Sequence, residues 1–152
     1  MPTETAAAPR HAVFDGHNDV LSQLHRAAAE PAGPRPESLF AEGGPGHVDL
    51  PKLRAGGMAA GFYAIFVPSP DLDLDLDPDT PESLDIPLPP ALPRTPALAT
   101  AVEQAGILHA LARAGHLRLC RTAADAEAAR AEDVPGAFLH LEGAEAIDPE
   151  FR

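Results

Sequence analysis

Apolar residues in this chain fall into short runs separated by amphipathic stretches, and the two periods alternate. Ala12, Val13 and Phe14 predict a short buried strand that ends near the polar DGHND. Val20, Leu21, Leu24 and Ala28 then recur at helical spacing through DVLSQLHRAAAE, until Pro31, Gly33, Pro34 and Pro36 end the helix. HVDLPKLRAGG predicts a turn of helix stopped by Gly56 and Gly57. MAAGFYAIFVP, with Phe62, Tyr63, Ile65, Phe66 and Val67 closed by Pro68, predicts a buried strand. A helix over TPALATAVEQAGILHALARAG starts at Thr-Pro and stops at Gly115; a short strand HLRLC follows. Thr122 caps a helix over TAADAEAARAED, and VPGAFLHLEGAEAI closes the series as an apolar strand. Strands alternating with helices argue for an α/β fold with a mainly parallel sheet. No Gly-rich phosphate loop follows any of these strands, so a nucleotide-binding doubly wound fold loses support.

Composition changes this picture in two places. Residues 68–96, PSPDLDLDLDPDTPESLDIPLPPALPRTP, repeat Asp-Leu pairs among dense prolines, and read as an exposed insertion rather than a core element. Residues 1–10 read as a flexible tail, leaving 11–152 as one domain, within the usual length for a single core. In the insertion, Asp71, Asp73, Asp75, Asp79 and Glu82 match the acidic spacing of a calcium loop. Leu76 stands where that loop needs glycine, however, and prolines replace the flanking helices, so a solvated acidic loop is expected. The formal net charge of -12 argues against nucleic acid as a partner. The single cysteine, Cys120, excludes an internal disulfide framework and a four-thiolate zinc site, and reads as a buried inert thiol. No secretory signal or membrane-spanning run is seen, and a cytoplasmic location is the expectation.

Candidate chemistry gathers at two strand ends. Asp15, His17 and Asp19 occupy every second position, which in an extended segment points all three the same way. In parallel α/β architectures ligands collect at the carboxyl ends of strands, where His17 and Asp19 stand. An imidazole and a carboxylate two residues apart can ligate one divalent metal, zinc readily so; a helix cap by Asp19 is the alternative. Glu142 ends an apolar strand and is followed at once by Gly143. Its two oxygens could bridge two metal ions, or it could be a surface glutamate beginning a loop. His140 shares that strand face and reads first as a core histidine hydrogen-bonded to a neighbour. His25, His109 and His116 fit helices or helix ends, Lys52 and Arg54 fit surface charges, and His47 has no evident chemical role.

DGHND, HVDLPKLRAGGMAAGFYAIFVP and LHLEGAEAI, in this order, resemble the N-terminal portion of the membrane (renal) dipeptidase family of zinc peptidases. The likeness runs from about His11 to Phe151, apart from the Pro/Asp-rich insertion. It implies a (β/α)8 TIM barrel of the metal-dependent hydrolase type, here an incomplete N-terminal part, since such barrels take about 250 residues. It implies two zinc ions per complete site, one of them held by His17 and Asp19, with Glu142 bridging both. It implies a metal-bridging water that attacks the peptide bond of a dipeptide substrate. Asp15 would lie deeper on the same face and fix the geometry of the ligands; a buried structural carboxylate is a comparable alternative. The family's later histidine ligands, substrate-binding arginine and histidine, and acid/base aspartate match no residue here, so no catalytic residue is expected within this chain. The expectation is therefore a dipeptidase fragment inactive alone. A different amidohydrolase-type hydrolase and a non-catalytic remnant or binding protein of the same fold are the alternatives. Exposed apolar faces and a free sheet edge would favour a homo-oligomer or pairing with a complementary fragment.

Overall fold

The computed structural model describes residues 12–44, 46–69 and 90–151. The N-terminal tail over 1–10 and the body of the acidic insertion, including the calcium-like spacing, lie outside the described residues. Four strands and five helices are described: β1 (Val13–Asn18), α1 (Val20–Ala29), α2 (Pro36–Glu42), α3 (Leu50–Gly56), β2 (Met58–Phe66), α4 (Arg94–Arg113), β3 (Arg118–Leu119), α5 (Ala123–Ala131) and β4 (Gly136–Glu142). All strand pairs are parallel, as the alternation of periods predicts. Among the described residues, no helix is long and apolar enough to cross a membrane.

The spatial order is β1-β2-β4-β3. Consecutive barrel staves would place β3 between β2 and β4. Instead β4 pairs with β2 over seven residues, from Ala60 with Gly136 to Phe66 with Glu142. The two-residue β3 flanks only the start of β4, through Arg118 with Gly136 and Leu119 with Ala137. Three strands therefore act as staves, and the HLRLC strand is a short edge addition. The close approach at this start depends on Gly136, where a Cβ would sit 3.0 Å from both the Ala60 Cβ and the Cys120 sulfur.

Helices cover one face of the sheet. Val20, Leu21 and Leu24 of α1, Ala97, Ala101, Leu108 and Leu111 of α4, and Tyr63 and Ile65 of β2 form one core. The Pro31–Pro36 cluster ends α1 as expected, but Pro36 also begins α2, which the sequence reading misses. Proline lacks an N–H that the first helical position does not need. Phe40 of α2 is fully buried as a result. Helix α3 stops where Gly57 adopts a left-handed φ of 69° and its N–H bonds back to Arg54 and Leu53. Helix α5 is held at its start by a reciprocal capping box between Thr122 and Asp125. Burial pushes the Cys120 thiol up, so it stays protonated and inert as expected. The first strand is not buried: Val13 and Phe14 are exposed, because β1 is an edge and its Phe14 face carries no covering layer among the described residues.

Lys52 has more than a surface role. Its Nζ donates to the Gly44 and Gly46 carbonyls at 2.8 Å and pairs with the Asp49 carboxylate, tying the loop before α3 to that helix. Asp49 is buried at the α3 N-cap and accepts the backbone N–H of Lys52 at 2.9 Å and of Gly44 at 3.2 Å. Burial pushes its carboxyl up, but the hydrogen bonds from Lys52 and Gly44 and the Lys52 charge outweigh it, and the net shift is below 3.8.

Two outcomes follow from this packing. A folded-state pKa below the unfolded one adds stability at neutral pH that is lost as pH falls through the folded value. Asp49→Asn should therefore lower the urea midpoint at pH 7 and shrink its loss below pH about 4, leaving a flatter acid limb than wild type. At Gly61 a Cβ would meet the Asp15 Cβ at 2.9 Å and its carbonyl at 3.2 Å, so β1 and β2 could not keep their spacing. Gly61→Ala should destabilise by about 1–3 kcal/mol in urea unfolding, the usual cost of overpacking.

Candidate metal centre

Between Asp15 and Asn18, β1 carries one residue too many for its partner. Asp15 is in register with Gly61 and Asn18 with Tyr63, so three steps on β1 match two on β2, and the ladder shifts between them. This bulge breaks the period-two alternation. Phe14 packs edge-on against Phe62 at 5.3 Å, and His17 packs edge-on against His140 at 5.5 Å, all on the face opposite the helices. Asp15 turns away from that face, toward Asn18 and the backbone at Gly61. The expectation that Asp15 shares a face with His17 and Asp19 is thus corrected by the extra residue.

Asp15 still acts on the ligand segment, through its backbone. Its Oδ1 accepts the His17 N–H at 3.2 Å and its Oδ2 accepts Asn18 Nδ2 at 3.0 Å. Asn18 is buried and joins three partners. Its Nδ2 also donates to the Phe62 carbonyl at 3.1 Å, and its Oδ1 accepts the Val20 N–H at 3.4 Å. The brace therefore ties the bulge to β2 on one side and to the start of α1 on the other. Sequence reading passed over Asn18, because an asparagine between two candidate ligands carries no metal chemistry of its own. Tyr63 lies beneath the brace; burial, with the Asp15 charge adding to it, pushes the phenol well above its usual range and keeps it protonated.

The three predicted ligands meet at the carboxyl ends of β1 and β4. His17 Nε2 lies 3.4 Å from Asp19 Oδ1 and 3.3 Å from Glu142 Oε2. One donor atom from each of the three lies within 4.8 Å of the other two, and all three side chains are open to solvent. Asp19 occupies the N-cap position of α1, yet its side chain makes no capping hydrogen bond. It faces His17 instead, so the helix-cap alternative does not describe its carboxylate. Two carboxylates converging on one imidazole nitrogen form a donor set that a divalent metal ion could use. The two separations from His17 match the edge of a tetrahedral zinc site, which at bonds of about 2.0–2.2 Å spans about 3.3–3.6 Å. The nitrogen-and-oxygen donor set suits that ion. His140 lies beside this group rather than in it, its ring 6.1 Å from that of Phe62 and edge-on to His17.

The model of the membrane dipeptidase family, peptidase family M19, matches residues 3–151. Among solved structures, the chain is 39% identical to the dipeptidase AC, a metallo peptidase of family M19, with a TM-score of 0.74 over 93% of this chain and 38% of that one. It is 37% identical to a metallo peptidase from Rhodobacter sphaeroides liganded with a phosphinate mimic of the dipeptide L-Ala-D-Ala. There the TM-score is 0.77, over 92% of this chain and 40% of that one. A protein of Acinetobacter calcoaceticus, described as an uncharacterized protein in the PQQ-III 3' region, is 30% identical over 91% of this chain and 43% of its own length. The chain thus spans less than half the length of these relatives, and its α/β fold is an incomplete part of the barrel architecture they share. By its sequence and its fold, the chain belongs to the membrane dipeptidase family and corresponds to an N-terminal portion of it.

Proposed function

We propose that this chain is the N-terminal part of a zinc-dependent dipeptidase and contributes the ligands of one zinc ion and the carboxylate shared with a second. The convergence of Asp19 and Glu142 on His17 Nε2 is the observation that carries this reading. His17 would hold the ion through Nε2 and Asp19 through Oδ1. Glu142 would contribute its carboxylate to the same ion and share it with the second. Zinc in such a pair supplies Lewis acidity and lowers the pKa of a shared water. The role of this chain's residues is to hold those donors in place. The Asp15–Asn18 brace holds the backbone of His17, and the β2–β4 ladder holds Glu142 level with Phe66. No group that would bind a dipeptide's termini or shuttle its proton is assigned within this chain. Peptide-bond hydrolysis would therefore need the remainder of the barrel.

Zinc titration with a competing chromophoric chelator tests the site. The wild-type chain should bind one zinc tightly. His17→Ala and Asp19→Ala should each weaken it by more than the ten- to hundredfold that loss of an outer hydrogen-bond partner brings, while far-UV circular dichroism stays unchanged. A wild-type chain that takes up no zinc would point to a non-catalytic remnant.

Activity provides the second test. The purified 152-residue chain, loaded with zinc, should show no turnover of dipeptides above a metal-free control. Robust hydrolysis that co-purifies with the chain would overturn the assignment of the missing groups. Turnover of cyclic amides but not dipeptides by a form spanning the whole barrel would favour another amidohydrolase-type enzyme.

A further inference from the structure

Gln104 is 1% exposed on the core side of α4, in one stripe with Ala97, Ala101, Leu108 and Leu111. An amide in that setting must find partners for both its ends, or its burial destabilises the fold. Both ends serve a single residue. Oε1 accepts the Phe66 N–H at 3.0 Å, and Nε2 donates to the Phe66 carbonyl at 2.7 Å.

Bonding one residue's N–H and carbonyl together is what a neighbouring parallel strand does. Among the described residues no strand does so here. Pairing with β1 ends at Asn18 and Tyr63, so the last three residues of β2 extend beyond it. Phe62 and Phe66 are four residues apart and turn their backbone polar groups to the same edge. Within the bulged pairing the Phe62 carbonyl goes to Asn18 Nδ2, and beyond it the Phe66 groups go to Gln104, so a buried amide takes over the edge where β1 stops.

Phe66 is the residue in register with Glu142. We infer that Gln104 is a positioning residue for Glu142: it stands in for a strand at the end of β2, and so holds the Phe66–Glu142 step of the ladder and the carboxylate against His17. The inference rests on Glu142 being a zinc ligand, but the clamp itself has a metal-free readout. A leucine in its place would fill the volume and leave the Phe66 N–H and carbonyl unpartnered beside the core.

The test compares the full chain with Gln104→Leu and Gln104→Glu by amide hydrogen exchange and by zinc competition. In Gln104→Leu, protection at Phe66 and Glu142 should fall about tenfold or more, the equivalent of one lost hydrogen bond, while Ala60 and Phe138 lower in the same strands keep theirs. Zinc affinity should fall about tenfold, the lower end of what an outer partner contributes. Gln104→Glu keeps an acceptor for the Phe66 N–H and should recover part of that protection. It shows the same local pattern at smaller amplitude, and so carries the comparison if the leucine variant does not fold. Unchanged protection at Phe66, a uniform loss along β2 and β4, or full zinc affinity despite local loss at Glu142 would each overturn the inference. A wild-type chain that binds no zinc refutes the proposed function instead, and the exchange pattern still decides whether Gln104 sets the ladder at Glu142.

Discussion

One extra residue in β1, between Asp15 and Asn18, is the constraint on which the site depends. With Phe14 on the open face and Asp15 beside Gly61, a regular strand would turn His17 and Asp19 toward the helices along with Asp15. The bulge instead places His17 over the open face and turns Asp15 and Asn18 toward β2. Donors and their support are thereby separated by the sheet itself. The open side holds His17, Asp19 and Glu142, and the packed side holds the hydrogen bonds that fix the His17 backbone. Gly61 makes this arrangement sterically feasible, because any side chain there would collide with Asp15.

Pairing of β1 with β2 ends at Asn18 and Tyr63, short of the end of β2. The edge beyond must satisfy backbone groups that pairing no longer serves, and the buried Gln104 amide does so at Phe66. The buried polar residues of this fold each serve backbone groups at a strand end or a helix start. Asp49 solves a similar problem elsewhere, capping α3 and holding Lys52 and the loop around Gly44. Backbone satisfaction decides where the interior is polar, and apolar packing decides the rest.

The family supplies a reason for the open face. Its members' structures are more than twice as long as the match to this chain, and the three long strands here correspond to only part of those folds. Phe14, Phe62 and Phe138 pack against one another on the side that bears the ligands.

Much of this was legible in the residues alone. Hydrophobic period set the order of helices and strands, since burial on one face requires it. Three short motifs in sequence carry the resemblance to the family, which implies His17, Asp19 and Glu142 as ligands, and the fold brings their donor atoms together. Helix α2 escaped because prolines that end one helix can begin the next, and local sequence does not say which. The orientation of Asp15 and the roles of Asn18 and Gln104 were decided by tertiary structure. A bulge depends on how one strand registers with another, and a buried amide's value depends on which backbone groups lack a partner. Neither quantity exists until distant segments meet.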